Sequence, residues 1–132
     1  MTDLLFVYGT LLRSADHPMG RRLRREADLL GPATFRGRLY RIAWYPGVVD
    51  GADRDIVHGE LYRLADPDSA FAWLDEFEGV TRGASNVTGP DEYTRTTRQV
   101  TARATAHVAW VYLYLGAPID ANLQPGGRWG TK

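Results

Sequence analysis

The chain has no cysteine among its 132 residues. That excludes a disulfide scaffold, a thiol nucleophile and any cysteine-ligated metal. It has no net charge either: sixteen Lys and Arg balance sixteen Asp and Glu. No overall field therefore recruits nucleic acid or an anionic membrane, and neither is expected as a partner. Long apolar runs are missing as well. The N-terminus carries Asp3 and one short run, which fits neither a signal peptide nor a membrane span. A soluble cytoplasmic protein is the expectation. There is no internal repeat, no Gly-x-Ser-x-Gly, no P-loop and no dinucleotide fingerprint. His17, His58 and His107 lie far apart without metal-ligand spacing, so no metal site is expected. At this length the chain reads as a single domain over residues 1–132, with an ordinary globular hydrophobic share of 44%.

What is present starts at once. Leu4-Leu5-Phe6-Val7-Tyr8 is an apolar run that breaks on Gly9-Thr10-Leu11-Leu12, so a buried strand ends in a turn near the start of the chain. Glycine lets the backbone curl until successive N–H groups point at one spot, a shape that attracts carboxylates and oxyanions. An ordinary turn is the plainer reading of the same residues. Pro18, Met19, Leu23 and Ala27 suggest a helix from His17 to Asp28. Its cluster Arg21-Arg22-Leu23-Arg24-Arg25 reads as a solvated face rather than a nucleic-acid surface. Phe35 to Trp44 alternates large apolar residues with Arg, the period of a half-buried strand, and Tyr45-Pro46-Gly47 ends it in a turn. Ile56 to Leu64 is a third strand, in which Gly59 marks a bulge or a close approach.

The period then changes. Asp66-Pro67-Asp68 supplies an N-cap, a first-turn proline and an acidic first turn, and Phe71, Leu74 and Phe77 follow at helical spacing, with Gly79 just past the end. Val80 to Asp91 is a Gly-, Ser-, Asn- and Pro-rich loop; its Asn86-Val87-Thr88 sequon lacks a secretory context. Tyr93–Ala102 and Thr105–Leu115 alternate and form a hairpin, followed by a Gly- and Pro-rich tail. The order β, α, β, β, α, β, β predicts an α+β fold with a mixed or antiparallel sheet closed into a small barrel and two main helices.

Three carboxylates crowd the end of the second helix. At about 100° per residue from Phe71, Glu78 falls at about −20°, within the stripe of Ala70, Phe71, Leu74 and Phe77, while Asp75 at about +40° lies beyond its edge and Glu76 at about +140° faces solvent. Glu78 also sits in the last turn, where the helix dipole disfavours negative charge. Both effects push its pKa toward the range of a general acid or base at neutral pH. A frayed end with solvated acids is the alternative. Asp75 reads as a cap or salt-bridge residue.

Taken together, these segments resemble the gamma-glutamylcyclotransferase-like family, in particular its small branch named for the plant protein AIG2. The matching segments are Tyr8-Gly9-Thr10-Leu11, Gly37-Arg38-Leu39-Tyr40, Pro46-Gly47, Val57-His58-Gly59-Glu60-Leu61-Tyr62, Leu74-Asp75-Glu76-Phe77-Glu78-Gly79, Tyr93-Thr94-Arg95, Tyr112 and Gly127-Arg128-Trp129. Their order and spacing cover nearly the whole chain. One departure is the stretch between Glu78 and Tyr93, longer than the branch usually allows, which is either a lid over a cavity or a surface excursion.

The resemblance implies release of 5-oxoproline from a gamma-glutamyl amine or peptide by attack of the substrate's own α-amine. In that reading Glu78 is the catalytic acid/base, and no cofactor is needed. The N–H groups of Tyr8, Gly9, Thr10 and Leu11 hold the α-carboxylate or the oxyanion. Tyr93 either donates to the glutamyl moiety or packs the barrel. Arg95 reads more readily as a strand-surface or ion-pair arginine, and Tyr40 and Tyr112 as core residues with polar tips. The rival reading is a non-catalytic member that binds a small ligand in the same cavity.

Overall fold

Leu4–Val7 form the first strand, β1, and all four residues are buried, as a strand covered on both faces requires. The computed structural model describes residues 2–78 and 92–130. Eight main elements follow one another: β1, α1 (Pro18–Glu26), β2 (Ala27–Arg41), β3 (Pro46–Asp50), β4 (Ile56–Leu64), α2 (Pro67–Glu78), β5 (Tyr93–Ala102) and β6 (Thr105–Tyr114). The sheet order is β3-β2-β4-β1-β6-β5, and β2 also pairs with β5 through Thr34–Thr101 and Phe35–Val100. Five strands thereby close into a barrel, with β3 added alongside β2. The pairing of β1 with β6 is parallel and the rest are antiparallel. The fold is the expected α+β barrel, and β1 lies inside the sheet between β4 and β6.

Alternation along β1 divides two cores. Leu4, Phe6 and then Tyr8 point into the barrel with Leu39, Val57 and Val111. Leu5 and Val7 point outward, where Leu23 of α1 and Phe71 and Leu74 of α2 cover them. The helix starts match their sequence signals. His17 Nδ1 accepts from the Met19 N–H at 3.1 Å, with Pro18 following, and Asp66 Oδ1 accepts from the Ser69 N–H at 3.2 Å.

Three expectations change. α1 stops at Glu26 rather than Asp28, because Ala27 and Asp28 already pair with Leu64 and Arg63 of β4. The strand expected over Phe35–Trp44 runs instead over Ala27–Arg41; it bends at a register shift between Leu29 and Gly31, where Gly31 has φ +128°. Pro46-Gly47 does not close a strand but opens β3, which lies against β2 from Arg41–Pro46 to Gly37–Asp50. At Gly59 the two readings resolve to a close approach, since a Cβ there would lie 2.1 Å from the Val7 carbonyl oxygen. β4 and β5 have the expected limits, and β6 ends one residue earlier, at Tyr114. Gly79, the 80–91 loop and its Asn86 sequon lie outside the described residues.

Candidate active site

Where β1 ends, Tyr8 keeps its side chain inside the barrel and donates its hydroxyl to the Tyr112 carbonyl at 2.6 Å, fixing the turn to β6. The Leu12 N–H then closes the turn on the Gly9 carbonyl at 2.9 Å. Gly9 is required here for a different reason than backbone curl. Among the described residues the glycines with positive φ are Gly31 and Gly127. At Gly9 a Cβ would sit 2.4 Å from Pro46 Cγ, so the glycine is what lets β3 lie against the turn. No described residue accepts a hydrogen bond from the N–H of Gly9, Thr10 or Leu11. These three residues line a cavity of about 250 Å³, and backbone donors of this kind suit a ligand anion.

Glu78 lines the same cavity, and so does Tyr93. The six expected site residues, Tyr8, Gly9, Thr10, Leu11, Glu78 and Tyr93, thus meet at one place, although they come from three separate parts of the chain. Glu78 as a residue is only partly buried because its end faces the cavity, whereas Glu76 is exposed at the rim. Burial pushes the Glu78 carboxyl up to about 8, helped by the charges of Asp75 and Glu92. Among the described residues no group donates a hydrogen bond to it.

The hydroxyl of Tyr93 is occupied. It donates to the Pro46 carbonyl at 2.5 Å, and the ring packs edge-on against Tyr114. Burial, with Glu78 next, raises its pKa far above the ordinary value, so it stays protonated. Bound this way it cannot also donate to a substrate, but its oxygen can still accept a hydrogen bond. Tyr112 is buried and donates to Asp75 Oδ1 at 2.6 Å, and Arg95 grips the same carboxylate from Nε at 2.8 Å and Nη2 at 3.2 Å. Asp75 and Arg95 are therefore ion-pair partners. Tyr40 is buried on β2 and does not line the cavity.

The cavity wall also holds four further residues: Trp44, the end of the expected Phe35–Trp44 strand, and Tyr45, Pro46 and Glu92, from segments expected as turn or loop. Tyr45 donates to Glu92 Oε2 at 2.5 Å, and this bond raises the Tyr45 pKa to about 12. Trp44 meets Tyr45 edge-on at 5.1 Å and remains 65% exposed at the cavity edge. The signal for them was present in the sequence, as two adjacent aromatics ahead of Pro46-Gly47 in a segment that otherwise calls for polar turn residues. Among the described residues no cluster of three or more His, Asp or Glu is placed to hold a metal. No described helix is long and apolar enough to cross a membrane. In the basic stretch of α1, Arg21 pairs with Asp16 at 2.7 Å, and Arg22 pairs with Glu26 at 2.8 Å while lying over Trp73.

Residues 5–131 match the family model described as gamma-glutamyl cyclotransferase, AIG2-like. The chain belongs to that family. Solved structures agree at the level of fold. YkqA from Bacillus subtilis is 24% identical with a TM-score of 0.65; the match covers 98% of this chain and 40% of that one. An AIG2-like protein from Mus musculus is 21% identical with a TM-score of 0.60, covering 98% of this chain and 96% of that one. A protein described as a gamma-glutamyl cyclotransferase is 20% identical with a TM-score of 0.60, covering 92% and 68%. No curated protein matches. The turn at Tyr8–Leu11 and the end of α2 at Glu78 both lie within the matched residues.

Proposed function

We propose that this protein releases 5-oxoproline from a gamma-glutamyl amine or peptide, with Glu78 carrying the proton. The observation that supports this most is the placement of Glu78, a desolvated carboxyl with a pKa of about 8, on the same cavity as Gly9, Thr10 and Leu11, whose N–H groups have no acceptor among the described residues. The cavity, about 250 Å³, has the volume of about eight water molecules, enough for a glutamyl group.

In this chemistry Glu78 takes up a proton and later gives it back. The substrate's α-carboxylate, or the oxyanion formed later, sits on the Tyr8–Leu11 amides. The α-ammonium gives a proton to the Glu78 carboxylate, and the freed amine attacks the γ-carbonyl carbon. A new C–N bond closes the five-membered ring. The ring nitrogen, left with two hydrogens by the attack, gives one to solvent, and the old C–N bond breaks as Glu78 returns its proton to the leaving amine. Substrate becomes 5-oxoproline and an amine, with no water, oxidant or cofactor consumed, because the nucleophile belongs to the substrate. The Tyr93 oxygen, still able to accept, suits the α-ammonium before it is deprotonated.

The test is a panel of gamma-glutamyl amines, gamma-glutamyl amino acids and gamma-glutamyl dipeptides incubated with the protein and assayed for 5-oxoproline. Enzyme-dependent 5-oxoproline from at least one class is expected. None from any class sinks the proposal in favour of a binding protein.

A further inference from the structure

Asp75 stands one helical turn before Glu78 on α2, close enough for the two side chains to interact. Two strands hold it. Arg95 on β5 makes the paired contact at 2.8 and 3.2 Å, and Tyr112 on β6 adds its hydroxyl at 2.6 Å. The carbonyl of that same Tyr112 accepts the Tyr8 hydroxyl, and Tyr8 opens the amide turn. One tyrosine therefore links the helix that ends in Glu78 to the turn across the cavity. Arg95 is fixed in its own right: its guanidinium lies 3.8 Å from the Phe71 ring centre and 4.6 Å from that of Trp110. Its side chain and that of Asp75 are 14% and 20% exposed, whereas every side chain in the other ion pairs among the described residues is at least 35% exposed. The least exposed of these ion pairs thus lies next to a carboxyl to which no described residue donates a hydrogen bond.

We propose that Asp75 is a positioning residue for the reaction: clamped by Arg95 and Tyr112, it sets Glu78 against the Tyr8–Leu11 turn and keeps the Arg95 guanidinium away from the Glu78 carboxyl. Asp75 does not line the cavity, so it acts through its neighbours rather than on the substrate. An Arg95 released from Asp75 would find Glu78 one turn further along the same helix. Paired with it, Glu78 would hold its charge and become a poor proton acceptor. The inference rests on Glu78 as the proton carrier. Around that carboxyl stand Asp75 on α2, Glu92 just before β5, Tyr93 on β5, Tyr112 on β6 and Tyr8 after β1, with Glu76 exposed at the cavity rim.

Asp75→Asn removes the charge but keeps an acceptor for Tyr112. Tyr112→Phe removes one hydrogen bond but keeps the ion pair and the Tyr112 carbonyl. In each, the Glu78 carboxyl is titrated by carbon-13 NMR, and kcat and KM are measured across pH. In Asp75→Asn the Glu78 midpoint moves to lower pH by at least about half a pH unit, and the rising limb of kcat moves with it. In Tyr112→Phe the midpoint stays while kcat falls about tenfold and KM changes less than about twofold. A folded Asp75→Asn protein with an unmoved Glu78 midpoint overturns the inference. So does a Tyr112→Phe enzyme with wild-type kcat. If the wild type turns over no substrate, the proposed reaction fails, and the titration still decides whether Asp75 controls Glu78.

Discussion

Glu78 places its carboxyl where an ionised acid is least favoured, in the last turn of α2 and against a cavity wall of aromatic rings. That arrangement has a cost in stability that can be measured. Between the ordinary Glu value of 4.5 and the folded value of about 8, the native protein keeps a proton that the unfolded chain releases. Stability from this group is therefore full below pH 4.5 and declines as pH rises through about 8. Glu78→Gln, which carries no charge to bury, is expected to match the wild type near pH 4.5. At pH 9 it should exceed it by on the order of 3 kcal/mol in urea unfolding. Equal stability at both pH values would mean that the carboxyl is solvated after all. This residue was legible in the sequence because a helix of known phase fixes the direction of each side chain. Tyr93 was not: two readings stood open, and the Pro46 carbonyl that takes its hydroxyl lies 47 residues away in a segment read as a turn.

At the scale of elements, what could be read followed the length and regularity of the pattern. β4, β5 and β6 alternate over nine or ten residues, and their limits were set within one residue. β3 has five residues and begins with proline, a residue usual at turns. It is tolerated here because Pro46 is the first residue of a strand on the edge of the sheet. The first half of β2 was hidden for a related reason. Gly31-Pro32 looks like a break, but pairing to β4 carries the strand through it as a bend. α2 was plain because its cap, proline and apolar spacing agree. The cap makes a direct prediction: Asp66→Ala leaves the Ser69 N–H without its acceptor and should lower stability by about 1 kcal/mol, read as a lower midpoint in thermal melting. An unchanged midpoint would show that tertiary packing alone fixes the start of this helix.

For the molecule as a whole, the site exists because the barrel closes. β1 and the turn after it come from the first residues of the chain, β3 from the middle, and β5 and β6 from the last third. Closure depends on Thr34–Thr101 and Phe35–Val100, two pairings between residues 65 or more positions apart. Periodicity shows which residues face inward but not which strands meet, so the pairing order could not be read from it. Because β1 contributes to both cores, barrel and helices are expected to unfold together. Val100 is buried inside the barrel at this seam. Val100→Ala should cost about 2 kcal/mol while the tryptophan fluorescence and far-ultraviolet circular dichroism transitions remain superimposed. Separation of the two transitions would show that the helical layer is an independent unit.

The most direct measurement compares 5-oxoproline release by the wild type and by Glu78→Gln on the same gamma-glutamyl substrate, with substrate binding to both followed by calorimetry. The prediction is release by the wild type and a loss of at least about a thousandfold in kcat for Glu78→Gln, with binding retained within a few-fold. Release by Glu78→Gln at the wild-type rate would contradict the account.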